Sequence, residues 1–380
     1  MDRRLGFIDA LRGYAILAVI VVHTSQLYPH LSPSVQSFMA QGARGVQLFF
    51  LVSALTLIQS WHSRNDEGDI KTLNFFIRRV FRILPMFYVG IGFFFWLDGF
   101  QARYFAPNGI GPWHVAMTMA FLHGWHPETI TSVVPGGWSI AVEVTFYLTF
   151  PLIAATIRSW KGALLFAAGT VLLAEFSLPG ATSWVQGMRP DLPPYLVSTF
   201  TFLWFFNQLT PFALGILVFF VLRDRPRLPP RLAWSGLALS VGAAIAMALH
   251  PPTVVQAHIA YSVCFALAVL CIAGGANTLV VNRPIRFLGR ISFSAYLVHF
   301  VWYDLVLAHT DRNVDLFAHF GAWNGNGVFL LVLTGVLLAT IVVSSVTYRF
   351  IERPMIDAGS LLTRRLTASA QLRQTAKEAA

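Results

Sequence analysis

Charge is scarce in this chain: Asp, Glu, Lys and Arg together make up 12% of its 380 residues. A soluble globular protein carries charge on roughly a quarter of its residues, so an ordinary water-facing surface is excluded. With 56% hydrophobic residues, a disordered chain is excluded as well, since disorder goes with high charge and few apolar groups. Cysteine is nearly absent. Cys264 and Cys271 are the two, and on one helix they would be separated by about 10 Å of rise, too far to bridge. Neither has a metal-ligand partner at useful spacing, so no metal site is expected. The sequence also lacks a Gly-x-x-x-x-Gly-Lys phosphate loop, a His-Glu-x-x-His zinc helix and a Gly-x-Ser-x-Gly nucleophile elbow.

What is present is apolar sequence, with a mean hydropathy of +0.62. Apolar runs occur at about 8–28, 45–61, 80–97, 138–157, 162–178, 200–222, 232–249, 255–273, 291–308 and 327–350. They lack the alternation of a transmembrane barrel strand, and a helix needs about 20 apolar residues to cross a bilayer. The fold class is therefore all-α, a polytopic membrane helical bundle of about ten transmembrane helices. The shorter run from Trp113 to Leu122 reads as an interfacial or re-entrant segment. The first run mimics a secretory signal, but no small-residue cleavage site follows Val22, so it is read as an uncleaved span.

Ten spans put both termini on one side. Of the 27 Lys and Arg residues, only Arg44, Arg103, Arg189 and Arg312 then fall on the other. By the positive-inside rule both termini are cytoplasmic. The net charge of +10 becomes a consequence of topology, and nucleic acid is not expected as a partner. No internal repeat is visible. The chain divides into a transmembrane domain over 1–356 and a polar cytoplasmic tail over 357–380, read as a solvated surface helix.

Ionisable residues inside spans are costly, so each is a candidate for function. Arg12 and His23 are eleven residues apart, which returns to within about 20° of one helix face some 16 Å further along. Alone, Arg12 fits an interfacial anchor and His23 a core histidine. Arg78 and Arg82 share a face at i, i+4 with Arg79 beside them, a cluster suited to phosphates or to lipid headgroups. Glu143 follows Trp138 and Ser139 about five residues into an apolar run. A buried carboxylate must be paired, hydrogen-bonded or neutral; it serves helix packing or orients a histidine such as His23. Tyr296 and His299 lie at i, i+3, a spacing that packing also explains. The loop cluster of Trp113, His114, His123, Trp125 and His126 suits either a sugar ring or an interfacial aromatic belt.

Six segments in order resemble the acyltransferase-3 family of membrane O-acyltransferases. They are Ile8-Asp9-Ala10-Leu11-Arg12-Gly13 with His23, Gly45 to Ser53, Arg78-Arg79-x-x-Arg82, Trp138-Ser139-x-x-x-Glu143, Gly289 to His299, and Ile351-Glu352-Arg353-Pro354. They run from residue 8 to about 356. The resemblance implies a bacterial inner (plasma) membrane enzyme with no permanently bound cofactor. It implies transfer of an acyl group, commonly acetyl, from cytoplasmic acyl-CoA to a hydroxyl of a cell-surface glycan or glycolipid such as lipopolysaccharide or exopolysaccharide. Carried over by position, it makes His23 the general base, with Glu143 and Arg12 catalytic. Arg78, Arg79 and Arg82 would bind the donor, and Ser53, Trp138, Ser139, Tyr296 and His299 would support the site. The expected partners are acyl-CoA, the acceptor and membrane lipids. This chain departs from the family's usual pattern in having Gln47 for an aspartate and Ser53-Ala54-Leu55 for Ser-Gly-Phe. Two rival readings are a transporter or glycan-export component using the intramembrane charges as a pathway, and an inactive relative.

Overall fold

The apolar runs fold as helices because each is long, evenly apolar and able to satisfy its own backbone where water is absent. The computed structural model describes residues 3–27, 31–64, 68–225, 228–275, 279–310 and 325–378; Arg312 lies outside them. In chain order the helices are α1 (Arg3–Leu27), α2 (Pro33–Ala40), α3 (Gly45–Ser63), α4 (Gly68–Asp98) and α5 (Pro112–Met119). Next come α6 (Gly137–Thr156), α7 (Trp160–Met188), α8 (Pro194–Leu203), α9 (Leu209–Asp224) and α10 (Pro230–Leu249). The last are α11 (Ala257–Gly274), α12 (Arg283–Arg290), α13 (Ser292–Thr310), α14 (Gly325–Thr347) and α15 (Arg353–Glu378). Among the described residues there is no strand, only an isolated bridge between Arg103 and Ala106.

Eight stretches of the described residues are long and apolar enough to cross a membrane. They cover every expected run except 200–222 and 291–308. The second of these is helical as α13. The first is a correction. Instead of one span it forms α8 and α9, interrupted at Trp204 to Gln208, and the 16 residues of α9 rise only about 24 Å. The cause is Asn207-Gln208 in the middle of the run. The amide of Gln47 donates to Oε1 of Gln208 at 2.9 Å, and His258 Nε2 donates to the Asn207 carbonyl at 2.9 Å. Irregular backbone is tolerated at membrane depth where protein groups serve it.

The chain forms two compact units. The first comprises Met1–Thr56, Arg158–Pro190 and Phe206–Ser344. Its apolar core gathers Leu11 and Ala15 of α1, Leu51 of α3, Ala213 of α9, Leu237 of α10 and Val269 of α11. Helices in lipid gain little from burial itself and associate through close packing of small residues. Here Gly13 of α1 sits against the carbonyl of Ile285, and Gly289 against the carbonyl of Asp9, so α1 and α12 cross backbone to backbone. Arg12 is fixed beside that crossing.

The second unit comprises Leu57–Ile157, Asp191–Phe205 and Ser345–Ala380. Trp61, Phe75 and Phe150 form its aromatic centre, with Phe75 stacked on Phe150 at 5.0 Å and Trp61 edge-on to both. The α15 helix differs from the solvated tail expected. One of its faces packs on α4: Gly359 lies under Phe81, and fully buried Asn74 donates to Thr367 Oγ1 at 2.9 Å. Thr363, between them on the same stripe, is buried too. A π-helical turn over Tyr348–Glu352 leads into this helix.

Gly289 and Gly92 provide a contrast. A Cβ at Gly289 would overlap the Asp9 carbonyl, whereas one at Gly92 meets nothing within 4 Å. Gly289→Val should therefore cost at least about 1–3 kcal/mol through forced separation of α1 and α12. Gly92→Ala should be neutral or stabilising by up to about 1 kcal/mol. Thermal unfolding of the detergent-solubilised variants checks both.

Candidate active-site residues

In the first unit the α1 stripe expected from spacing is present. Arg12 and His23 are both partly exposed, and Ile16 and Val19 between them are fully buried. Arg12 Nη2 donates to Thr56 Oγ1 at 3.3 Å, and that hydroxyl donates to the Val52 carbonyl one turn back at 2.6 Å. Ser53 lies buried on the same helix, three residues before Thr56.

His23 Nδ1 lies 3.0 Å from Gln26 Oε1. A carboxamide oxygen only accepts, so Nδ1 carries the proton and the neutral ring has its lone pair on Nε2. Sequence reasoning missed Gln26; its i, i+3 spacing from His23 was the available signal. His299 of α13 is also adjacent. Its ring centre is 5.3 Å from that of His23, and Phe300 stands 4.6 Å from His23 and 4.1 Å from His299. Tyr296 lies 5.7 Å from His299 and is edge-on to Phe49 at 6.3 Å. The structure thus brings His23 of α1 together with Tyr296 and His299 of α13, which are far from it in sequence.

In the second unit Glu143 Oε1 accepts a 2.6 Å hydrogen bond from Tyr147, one turn further along α6. The guanidinium of Arg79 lies over the Tyr147 ring at 5.8 Å, a contact of about 0.5–2 kcal/mol. Arg79, Tyr147 and Glu143 thus form a chain across α4 and α6. Arg78 and Arg82 on α4 are partly exposed. Tyr147 was also missed, because in a run this rich in aromatics a tyrosine carries no distinguishing pattern.

Trp138 and Ser139 stand at the start of α6, which a left-handed Gly136 at φ 70° makes possible. Ser139 Oγ donates to the Gly136 carbonyl at 3.1 Å. The preceding connection is not a solvated loop. Thr129 to Val134 are all buried, and Thr129 Oγ1 donates to the His123 carbonyl at 2.8 Å. His123 Nε2 donates to the Gly137 carbonyl at 3.0 Å. Around this connection Trp113 meets His114 at 4.0 Å and His126 at 5.1 Å, and Trp125 meets Trp204 at 5.9 Å. No group of three or more metal-ligating side chains occurs among the described residues.

Burial pushes the His123 imidazole down to about 4, opposed by its bond to Gly137. Unfolded, the ring titrates near 6.5. A lowered folded value means that stability is full above about pH 6.5 and is lost as pH falls towards 4, by roughly 3 kcal/mol at most. His123→Gln keeps a donor for Gly137 and should flatten that part of the stability curve between pH 6.5 and 4.5. Thermal midpoints across that range measure it.

The sequence profile of the family described as "Acyltransferase domain" matches residues 5–349. Acyltransferase MdmB of Streptomyces mycarofaciens is 26% identical over 314 residues, covering 78% of this chain and 79% of that protein. O-acetyltransferase OatA of Staphylococcus aureus (strain NCTC 8325) is 21% identical over 407 residues, covering 94% of this chain and 58% of that protein. This chain thus spans little more than half the length of the staphylococcal relative. No solved structure matches.

Proposed function

The chain belongs to the acyltransferase-domain family, and from that premise we propose that it moves an acyl group from acyl-CoA to a hydroxyl of a cell-surface glycan or glycolipid. Membership makes it an acyltransferase enzyme and a multi-pass membrane protein, which sets the transporter reading aside. Acetyl is the proposed acyl group, because a relative is named an O-acetyltransferase. The bacterial inner membrane is the proposed location, with acyl-CoA reaching the enzyme from the cytoplasm and no cofactor held permanently.

The observation that carries the reading is His23, a partly exposed imidazole within a span whose Nδ1 proton is held by Gln26. Nε2 is assigned as the base. Nε2 takes the proton of the acceptor hydroxyl, whose oxygen attacks the thioester carbonyl. The carbon–sulfur bond then breaks, and the departing thiolate recovers the proton from the imidazolium, giving an ester and free CoA. Arg12, held by Thr56, is assigned to stabilising the oxyanion. Arg78 and Arg82 grip the phosphates of CoA. Arg79 shares that charge and also steadies Tyr147 and Glu143.

Two variants test this. His23→Ala should lower release of CoA thiol from acetyl-CoA, and acylation of the cell-surface glycan, by about 100-fold or more; normal acylation by a well-expressed variant would exclude His23 as the base. Arg78→Ala/Arg82→Ala should raise KM for acetyl-CoA by about tenfold or more with little effect on a saturated rate. An unchanged KM would remove the phosphate role.

A further inference from the structure

Arg44 is a cation that the fold carries inward and leaves without an anion. It ends the short turn Gln41–Arg44 that leads into α3. Gly42 and Gly45, on either side of it, lie against the carbonyls of Ala18 and Ala15. Those residues are near the middle of the α1 span, Gly6–Gln26. The turn is therefore set well inside the membrane rather than at its outer surface. Gly42 also faces Val22, the residue before His23.

A guanidinium at that depth is costly unless it is paired. That of Arg44 lies over the Tyr261 ring of α11 at 5.9 Å, and its charge reaches His258 one turn earlier. Neither group is an anion. The Tyr261 hydroxyl donates to the Ala244 carbonyl at 3.1 Å, and His258 Nε2 is engaged by the Asn207 carbonyl. Glu175 of α7 reaches the start of α11, but there it accepts from the Gln256 backbone N–H at 2.7 Å. Gln47, three residues on from Arg44, is neutral and turned to Gln208. Among the described residues no carboxylate pairs with Arg44, and its buried Nε has no hydrogen-bond partner. By contrast Arg103, also expected on the outer side, is paired with Asp98.

We infer that Arg44 binds an anionic group, a carboxylate or a phosphate, carried by the acceptor. This rests on the acyltransferase reading and names within it an acidic glycan or glycolipid as the acceptor class. A guanidinium presents its nitrogens as a planar fork that matches either group with paired hydrogen bonds. Arg44 is partly exposed, so nitrogens other than Nε remain within reach. The Tyr261 ring steadies the cation without neutralising it. An anion held at this turn tethers the acceptor beside the helix that carries His23. An anionic lipid headgroup offers the same chemistry, and the experiment separates the two sources.

The test compares binding of hexyl β-D-glucuronide and hexyl β-D-glucoside to the full chain in phosphatidylcholine nanodiscs. The probes differ only in a carboxylate replacing a hydroxymethyl group, and comparison between variants cancels their different partition into lipid. Wild type should favour the glucuronide, relative to Arg44→Gln, by about tenfold or more. Gln47→Glu supplies a carboxylate three residues from Arg44 and should remove the preference as well. A preference absent from wild type, or one that survives either substitution, would overturn the proposal. Arg44→Gln removes an unpaired charge, so its thermal midpoint without probe should equal or exceed that of wild type. A lowered midpoint would mark Arg44 as structural and overturn the proposal too. The preference should persist when phosphatidylglycerol is added at high salt, which screens the surface potential. Its loss there would give Arg44 to a lipid headgroup and overturn the acceptor assignment.

His23→Ala keeps the two levels apart. Lost acylation without any carboxylate preference in wild type overturns this inference alone. A clear preference with undiminished acylation overturns the assignment of His23 as base and leaves the anion site standing.

Discussion

A polar group held at membrane depth has no water to bond, so it is costly unless protein supplies its partner. That constraint decides more of the structure than apolar burial does, because apolar side chains gain little by leaving lipid for protein. Arg12 reaches Thr56, Glu143 takes the Tyr147 hydroxyl, and Gln47 pairs with Gln208. Each bond joins or orders helices that hydrophobic matching alone would leave free to slide. The departure at Gln47 has its physical sense here, since its amide meets another neutral amide where α9 begins.

Close backbone packing supplies the remaining precision. At Gly13 and Gly289 the chain gives up side chains so that α1 and α12 touch directly. Arg12 sits next to this crossing, and His23 lies three turns beyond it on the same helix. A displacement at the crossing is therefore carried along a stiff rod to the imidazole. His299 reaches the same place from α13, whose start follows α12 after Ile291. One glycine contact thus helps to register both imidazoles.

Much of this was legible in the sequence, and the exceptions share a cause. The helical class, the short segment after Trp113 and the common face of Arg12 and His23 follow from periodicity and run length, which are local. The interruption at Trp204 to Gln208 was lost because averaging over a window hides two amides among aromatics. The packing of α15 on α4 was hidden because its polar composition matches a solvated helix, while the deciding residues, Gly359, Thr363 and Thr367, are small. Gln26 and Tyr147 were overlooked as ordinary polar and aromatic residues. The pairing of His23 with His299 joins positions 276 residues apart, and no spacing rule reaches that far.

The connection before α6 has an experimental consequence. It would be a natural choice for reporter cysteines in mapping which side of the membrane each segment occupies, since sequence marks it as an exterior loop. Yet Thr129 to Val134 are buried within protein, so impermeant thiol reagents would fail there and the segment would be scored as membrane-embedded. Gln101, Ala102 and Tyr104 are exposed and belong to the same connection between α4 and α6. Labels placed there would report sidedness correctly, and the difference between the two sites would measure shielding by protein rather than by lipid.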